Sequence, residues 1–260
     1  MLFTIDIGNT SINMGLFQGE QLVNAWRLMS GIDRSSDEYG SLIYSLLQHH
    51  GVPVSSIKGA VLCSVVPPLV PVFEEVCSKY LETEVLVVAP GIKTGLRLLV
   101  DNPRELGPDR VANVVAGTKL YGKPLVVIDF GTATTFDVVS AEGDFLGGAI
   151  APGITIASEA LFTRTAVLPR IELLRPRHAI GRGTVSAMQS GIIFGYIGLI
   201  QNILKEITAE LQSKPVVVAT GGYADKFAEQ VPEIDISNPD LSLTGLRMIY
   251  DMNMADHERD

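Results

Sequence analysis

The sequence predicts an α/β fold built twice over, each half a mixed sheet that opens with three strands and is flanked by helices. Three observations predict it. Short apolar or alternating runs bounded by turn residues are interleaved with longer segments of helical periodicity. The order of these elements restarts near the middle of the chain. Each half also opens on the same turn, an Asp-x-Gly held between two strands. The first copy is Thr4-Ile5-Asp6-Ile7-Gly8-Asn9-Thr10-Ser11 and the second Val127-Ile128-Asp129-Phe130-Gly131-Thr132-Ala133-Thr134, with Asp129 placed 123 residues after Asp6.

In the first half, Leu2 to Ile7 is a continuous apolar run, Ile12 to Leu16 alternates, and Leu22 to Leu28 follows a Gln-Gly-Glu-Gln turn. These read as three strands. Ser36-Asp37-Glu38 opens a helix, with Ser35 or Ser36 as cap and Leu42, Ile43, Leu46 and Leu47 on one face. A strand from Gly59 to Val65 ends at Pro67-Pro68, and a helix from Leu69 to Leu81 leads into a strand over residues 84–89. A helix over residues 109–120 bridges to the second half. There Pro124 to Asp129, Thr134 to Ser140 and Asp144 to Ala151 repeat the three-strand opening. Helices follow near 154–163 and 184–211, then a strand at 215–219, a helix at 224–230 and a last helix at 241–252. The expected domains are 1–118 and 119–260. The charged tail at 255–260 is expected to fray.

A chain of 260 residues can bury a full core, and 47 % hydrophobic with 19 % charged residues suits a packed globule. The net charge of −9 and the absence of a Lys/Arg cluster argue against a nucleic-acid partner. Cys63 and Cys77 lie in apolar surroundings and read as buried free thiols, and the four histidines show no metal spacing. Asp6 interrupts the N-terminus too early for a signal peptide. The longest apolar stretch, Gly191 to Ile200, is about half a membrane span. A soluble, cytoplasmic protein without a membrane partner is expected.

The hairpins are neither P-loops nor dinucleotide fingerprints, because a strand rather than a helix follows each glycine and no Lys is near. A tight hairpin can still bind phosphate. Its glycine lets backbone N–H groups approach an oxygen, and Asn9, Thr10 and Ser11 add neutral donors. A bare carboxylate would repel phosphates, so Asp6 reads as a Mg²⁺ holder acting through water. The alternative is an Asx-type turn. A third glycine turn, Thr220-Gly221-Gly222, follows a strand and suits a flat base or ribose, or serves only for clearance. Two such hairpins and this third turn resemble the layout of the actin-like ATPase (ribonuclease H-like) superfamily, which includes the sugar and acetate kinases. That resemblance implies that the hairpins are opposite jaws of a nucleotide-phosphate cleft.

Gly107-Pro108-Asp109-Arg110 stands before an apolar-periodic helix. Asp109 could be a helix cap, or the base that receives the proton of an attacking alcohol. Arg110 is a cation at a helix N-terminus, against the dipole, which favours a partner such as a substrate carboxylate. Asp6-x-Gly8-Asn9-Thr10, Asn102-Pro103, Gly107-x-Asp109-Arg110, Asp129-x-Gly131-Thr132-Ala133, Gly148-Ala149-Ile150-x-Pro152-Gly153 and Ile180 to Gly191 together resemble type III pantothenate kinases in content and order.

The resemblance implies ATP-dependent phosphorylation of pantothenate, the first step towards coenzyme A. It implies ATP contacts at Asp6, Ile7, Gly8, Asn9, Thr10, Ser11, Ile12, Asn13 and Thr132. Pantothenate contacts would be Gly107, Pro108, Asp109, Arg110 and Thr184, with Asp109 as base. Asp129 would bind a monovalent cation, K⁺ or NH₄⁺, and the protein would be a homodimer whose site is completed across the interface. Val100, Pro108 and Gly183 depart from the usual pattern. At the level of sequence two other readings stay open, a non-catalytic regulatory relative and a kinase for another small alcohol. Thr184 read alone is an N-cap, Asp137 a strand-face carboxylate rather than a metal ligand, and Trp26-Arg27 a packing pair, with a cleft-facing Arg27 as the alternative.

Overall fold

The chain begins with β1 (Leu2–Ile7), β2 (Ser11–Gln18) and β3 (Gln21–Met29), followed by α1 (Ser36–His49), β4 (Gly59–Ser64), α2 (Leu69–Tyr80) and β5 (Val85–Val87). After β6 (Arg97–Leu98) and α3 (Pro108–Tyr121) come β7 (Leu125–Phe130), β8 (Ala133–Val139) and β9 (Asp144–Pro152). The chain continues with α4 (Ile154–Arg164), α5 (Thr184–Leu211), β10 (Val216–Gly221), α6 (Ala224–Ala228), β11 (Ile236–Ser237) and α7 (Leu241–His257). The structure, a computed structural model, describes residues 1–257; residues 258–260, the end of the charged tail, lie outside it.

The first sheet has the order β3-β2-β1-β4-β5, and the second β11-β10-β7-β8-β9-β6. Read from β9, the second sheet repeats the first. Two antiparallel pairs (β9-β8, β8-β7) lead into two parallel ones (β7-β10, β10-β11), as β3-β2 and β2-β1 lead into β1-β4 and β4-β5. The duplicated fold expected from the two Asp-x-Gly turns is the fold observed. β6 and β11 were not foreseen, because two-residue strands carry no periodicity to read.

Two compact units result. One comprises residues 1–96, 101–116 and the chain from Leu241 onward; the other comprises 97–100 and 117–240. In the first unit, strand alternation sorts side chains onto two faces. Phe3, Ile5, Ile7, Ala60 and Leu62 join Tyr39 and Ile43 of α1 and Phe73 and Val76 of α2. Val61 and Cys63 point the other way, into a layer with Val111, Ala112 and Val115 of α3 and Leu246 and Ile249 of α7. Asp6 belongs by the same alternation to this second face. α1 starts with a capping box: Ser35 N–H donates to Glu38 Oε2 at 2.8 Å, and Glu38 N–H to Ser35 Oγ at 3.3 Å. Its apolar stripe is narrower than expected, since Ile43 and Leu47 are buried but Leu42 is exposed.

In the second unit, Val126, Ile128, Phe130 and Phe136 pack under Ile154 of α4, Phe227 of α6 and the α5 residues Ile193, Tyr196, Ile200 and Leu204. α5 is long and apolar enough to cross a membrane by length and composition, and about one third of its most apolar stretch is buried.

Arg97 on β6 clamps Asp144 on β9: Nε donates to Oδ1 at 2.7 Å and Nη2 donates to Oδ2. The guanidinium holds the Asp144 carboxyl below its usual range. A carboxylate whose folded pKa is depressed stabilises the fold above its unfolded value, near pH 3.9, and ceases to do so as pH falls through the lower folded value. Arg97→Gln is therefore expected to unfold earlier than wild type at pH 7, with the gap closing below about pH 4. Urea titrations at several pH values check this; a gap that persisted undiminished in acid would refute it.

Candidate active site

The continuous apolar run of β1 is a central strand, flanked by β2 and β4, and it carries Asp6 to its next-to-last position, opposite Asn13 and beside Cys63. Gly8 N–H donates to Ser11 O at 2.9 Å and closes the hairpin. Ser30 braces it, its Oγ donating to Gly8 O at 2.6 Å and its N–H to Thr10 O at 3.1 Å. Asn9 and Thr10 are exposed at the tip. Ile7 and Ile12 are fully buried, so any contact they make with a ligand is through the main chain. Asn13 Oδ1 accepts from Arg27 Nε at 2.9 Å.

Asp6 itself is a nearly buried carboxylate, 9 % exposed. Oδ2 accepts from Ser242 Oγ at 2.8 Å and Oδ1 from Cys63 Sγ at 3.3 Å. Burial pushes its carboxyl upward; hydrogen bonds from Ser242, Cys63 and Asn13, and the charge of Arg27, pull it back. The Cys63 thiol is pushed far up, by burial first and then by the negative charges of Asp6 and Asp109.

Asp109 reaches this place from α3. Val111 N–H donates to Gly107 O at 3.2 Å, so the helix begins at Pro108. Proline suits that first position, because its fixed φ is helical and its missing N–H is not needed there; this accounts for one departure from the family pattern. Asp109 is thus inside the first turn and not a cap. Its Oδ1 accepts from Arg110 N–H at 2.9 Å. A Cβ on Gly107 would lie 2.4 Å from Asp109 Oδ1 and 3.7 Å from Val65. Glycine is required for the carboxylate to lie back over the turn. Val65 N–H in turn donates to Ile7 O at 3.0 Å. The carboxyl ends of β1 and β4 and the start of α3 therefore meet, at the edge where open α/β sheets bind ligands.

The second unit repeats the hairpin. Gly131 N–H donates to Ala133 O at 3.1 Å, Thr132 O accepts from Gly153 N–H at 3.1 Å, and the Thr134 hydroxyl is bonded to the Tyr196 hydroxyl. Asp129 pairs with Thr220 of β10. Gly221 has φ +85°, and a Cβ there would lie 2.5 Å from Asp129 Oδ1 and 2.8 Å from Phe130 O. Asp137 is fully buried and accepts from Thr135 Oγ1 at 3.2 Å. Thr184 is exposed at the first position of α5, after Gly183, and is not its N-cap. Ser186 Oγ folds back instead, accepting from Gly183 N–H at 3.2 Å and donating to Gly183 O at 3.0 Å.

Among the described residues, no three or more His, Cys, Asp or Glu side chains could together hold a metal ion. The donors present nevertheless fit the two cations implied. Mg²⁺ uses one or two carboxylates, with water and phosphate oxygens supplying the rest. Asp6 accepts from the neutral donors Ser242 and Cys63, which leave its carboxylate available to that ion. A monovalent cation is served by a carboxylate and a carbonyl, and the glycine at 221 leaves the space a Cβ would fill beside both.

Residues 2–206 match the sequence profile of the family described as type III pantothenate kinase. A type III pantothenate kinase of Dehalococcoides mccartyi (strain CBDB1) is 51 % identical over 252 residues, covering 97 % of this chain and 96 % of that one. Among solved structures, a protein described as a Baf family transcriptional activator from Campylobacter jejuni superposes with a TM-score of 0.64 at 19 % identity, over 97 % of this chain and 99 % of its own. One described as an N-acetylglucosamine kinase from Porphyromonas gingivalis gives 0.51 at 12 % identity, over 98 % and 100 %. At such identities these two likenesses bear on the fold alone.

Proposed function

The chain belongs to the type III pantothenate kinase family, and from that premise we propose how its residues divide the reaction. The protein phosphorylates pantothenate in coenzyme A biosynthesis, with ATP as donor. Asp109 takes the proton of the attacking primary hydroxyl, and Arg110 holds the pantothenate carboxylate through its guanidinium fork. Gly107 and Pro108 shape the turn beneath, and Thr184 contacts the same substrate. The hairpin from Asp6 to Asn13 and Thr132 of the second hairpin contact ATP, with main-chain N–H groups and neutral hydroxyls meeting phosphate oxygens. Asp6 holds Mg²⁺ through water, and Asp129 with its neighbouring carbonyl holds K⁺ or NH₄⁺. These cations, when bound, offset charge on the phosphates.

One observation carries this reading: Asp6 and Asp109, 103 residues apart in the chain, are brought to one sheet edge, where Val65 N–H donates to Ile7 O at 3.0 Å and a Cβ on Gly107 would lie 3.7 Å from Val65 and 2.4 Å from Asp109 Oδ1. A metal holder and a base need that proximity, whereas two structural carboxylates would gain nothing from mutual repulsion. The protein is further proposed to be a cytoplasmic homodimer. In support, Gly191, Gly195 and Gly198 of α5 face open space, where a second copy has room to approach.

The test is pantothenate-dependent ADP formation with Arg110→Ala beside wild type. Losing charge-assisted hydrogen bonds to a carboxylate predicts a KM for pantothenate raised about tenfold to a hundredfold, with the KM for ATP unchanged. A rise confined to ATP would refute the assignment.

A further inference from the structure

We propose that Ser242, on the C-terminal helix, is a positioning residue for the metal-holding carboxylate of Asp6. The inference rests on the reading of Asp6 given above and goes beyond it, since Ser242 lies 236 residues away in the chain and belongs to none of the motifs that identify the site.

The geometry is specific. Asp6 and Ser242 are both nearly buried, at 9 % and 8 % exposure, and the serine hydroxyl donates to Oδ2 at 2.8 Å. Ser242 is the second residue of α7, directly between Leu241 and Leu243, which are buried at 0 % and 2 %. Leu246 and Ile249 anchor the same helix in the layer that contains Cys63 and α3. The hydroxyl is therefore fixed by packing on both sides and has little freedom to leave Asp6.

A carboxylate at this depth needs hydrogen bonds to stay ionised, and the nature of its donors decides what else it can do. An Arg or Lys against Asp6 would satisfy it and cancel its charge. Ser242 and Cys63, both neutral, satisfy one oxygen each without forming an ion pair. They also fix the plane of the carboxyl group, and so the direction in which it presents a lone pair to a water on Mg²⁺. Partners behind a direct metal ligand typically change metal affinity about tenfold to a hundredfold when removed, and since Asp6 acts through a water the lower end applies here. Of the two, oxygen is the stronger donor and makes the shorter contact.

The experiment compares Ser242→Thr with Ser242→Val, two side chains of equal shape that differ by the hydroxyl, and uses Asp6→Asn as reference. Binding of ADP is measured by calorimetry with and without Mg²⁺, together with the KM of each substrate and the melting temperature. Ser242→Val is expected to lose about tenfold in Mg²⁺-dependent ADP affinity, to raise the Mg²⁺ concentration for half-maximal activity similarly, and to leave the KM for pantothenate unchanged. Ser242→Thr should keep wild-type values. A merely structural serine would lower the melting temperature in the Val variant and leave Mg²⁺-dependent binding intact, which would overturn the inference. So would equal losses in Thr and Val. If Ser242→Val does not fold, wild-type behaviour in Ser242→Ala would overturn it in the same way. Asp6→Asn binding Mg·ADP like wild type would instead refute the reading of Asp6, and the inference would fall with it.

Discussion

Asp109→Asn is expected to lower kcat at least about a hundredfold while leaving the fold and the KM for ATP near wild type. The amide is the same size as the carboxyl and its oxygen can still accept the Arg110 N–H that Asp109 Oδ1 accepts at 2.9 Å. The residue is half-buried at the start of α3, so the melting temperature should move little. What the amide cannot do is take a proton. In phosphoryl transfer most of the acceleration comes from positioning and charge stabilisation, so the loss should stop well short of total. Steady-state ADP formation, thermal unfolding and nucleotide binding together decide the matter. Retention of more than a third of wild-type kcat would remove Asp109 as the base. Parallel loss of ADP binding would mean that the carboxylate serves the nucleotide instead.

The result also bears on Cys63. Its thiol is held far above the usual range by burial and by both carboxylates, so removing one charge should make it easier to ionise. Alkylation of Cys63 in Asp109→Asn would still be slow, because burial is the larger cause and excludes the reagent as well as the thiolate.

How far this molecule can be read from its sequence depends on the range of the interactions involved. The three-strand opening of each half was legible because β1 and β7 are central strands whose apolar runs end at a turn residue that neither strand nor helix tolerates well. The helix from Thr184 to Leu211 was legible because its apolar pattern is long; in the fold Gln212, in the left-handed region at φ +53°, ends it. By contrast, nothing in the order of elements said that α7 would cover the first sheet. That destination is set by the fit of Leu246 and Ile249 against Val61, Val111 and Val115, which is a property of assembled surfaces.

The candidate site divides in the same way. Gly8, Asn9, Thr10, Gly107, Asp109 and Arg110 sit in short motifs where neighbours in sequence are neighbours in space, and they could be singled out. Ser242 and Cys63 could not. Each is an ordinary residue within an apolar element, and each acquires its meaning only by touching Asp6. Arg27 is intermediate: it could be seen on its strand, but its bond to Asn13 follows from the register of β2 against β3. Pro108 and Gly183 stand out in the sequence only as departures from the family pattern. In the fold Pro108 begins α3, where its fixed φ is helical, while Gly183 precedes α5 in extended backbone.

Gly221→Ala is expected to abolish the response to monovalent cations, and Gly122→Ala provides the control that separates cause from strain. Both glycines have φ +85°, yet a Cβ at Gly122 would meet nothing within 4 Å, while one at Gly221 would stand 2.5 Å from Asp129 Oδ1 and 2.8 Å from Phe130 O. Alanine in this backbone region costs about 1–2 kcal/mol wherever it occurs, so both variants should melt a few degrees lower. Only Gly221→Ala must in addition move a carboxylate and a carbonyl that proteins offer to hard cations. Its melting temperature should fall further, and K⁺ should no longer stimulate ADP formation, or should do so only at a concentration at least about tenfold higher. Gly122→Ala should keep the wild-type K⁺ titration. Equal melting shifts with an unchanged K⁺ response in both variants would show that the space beside Asp129 is turn clearance alone, and the monovalent cation would have to be sought elsewhere.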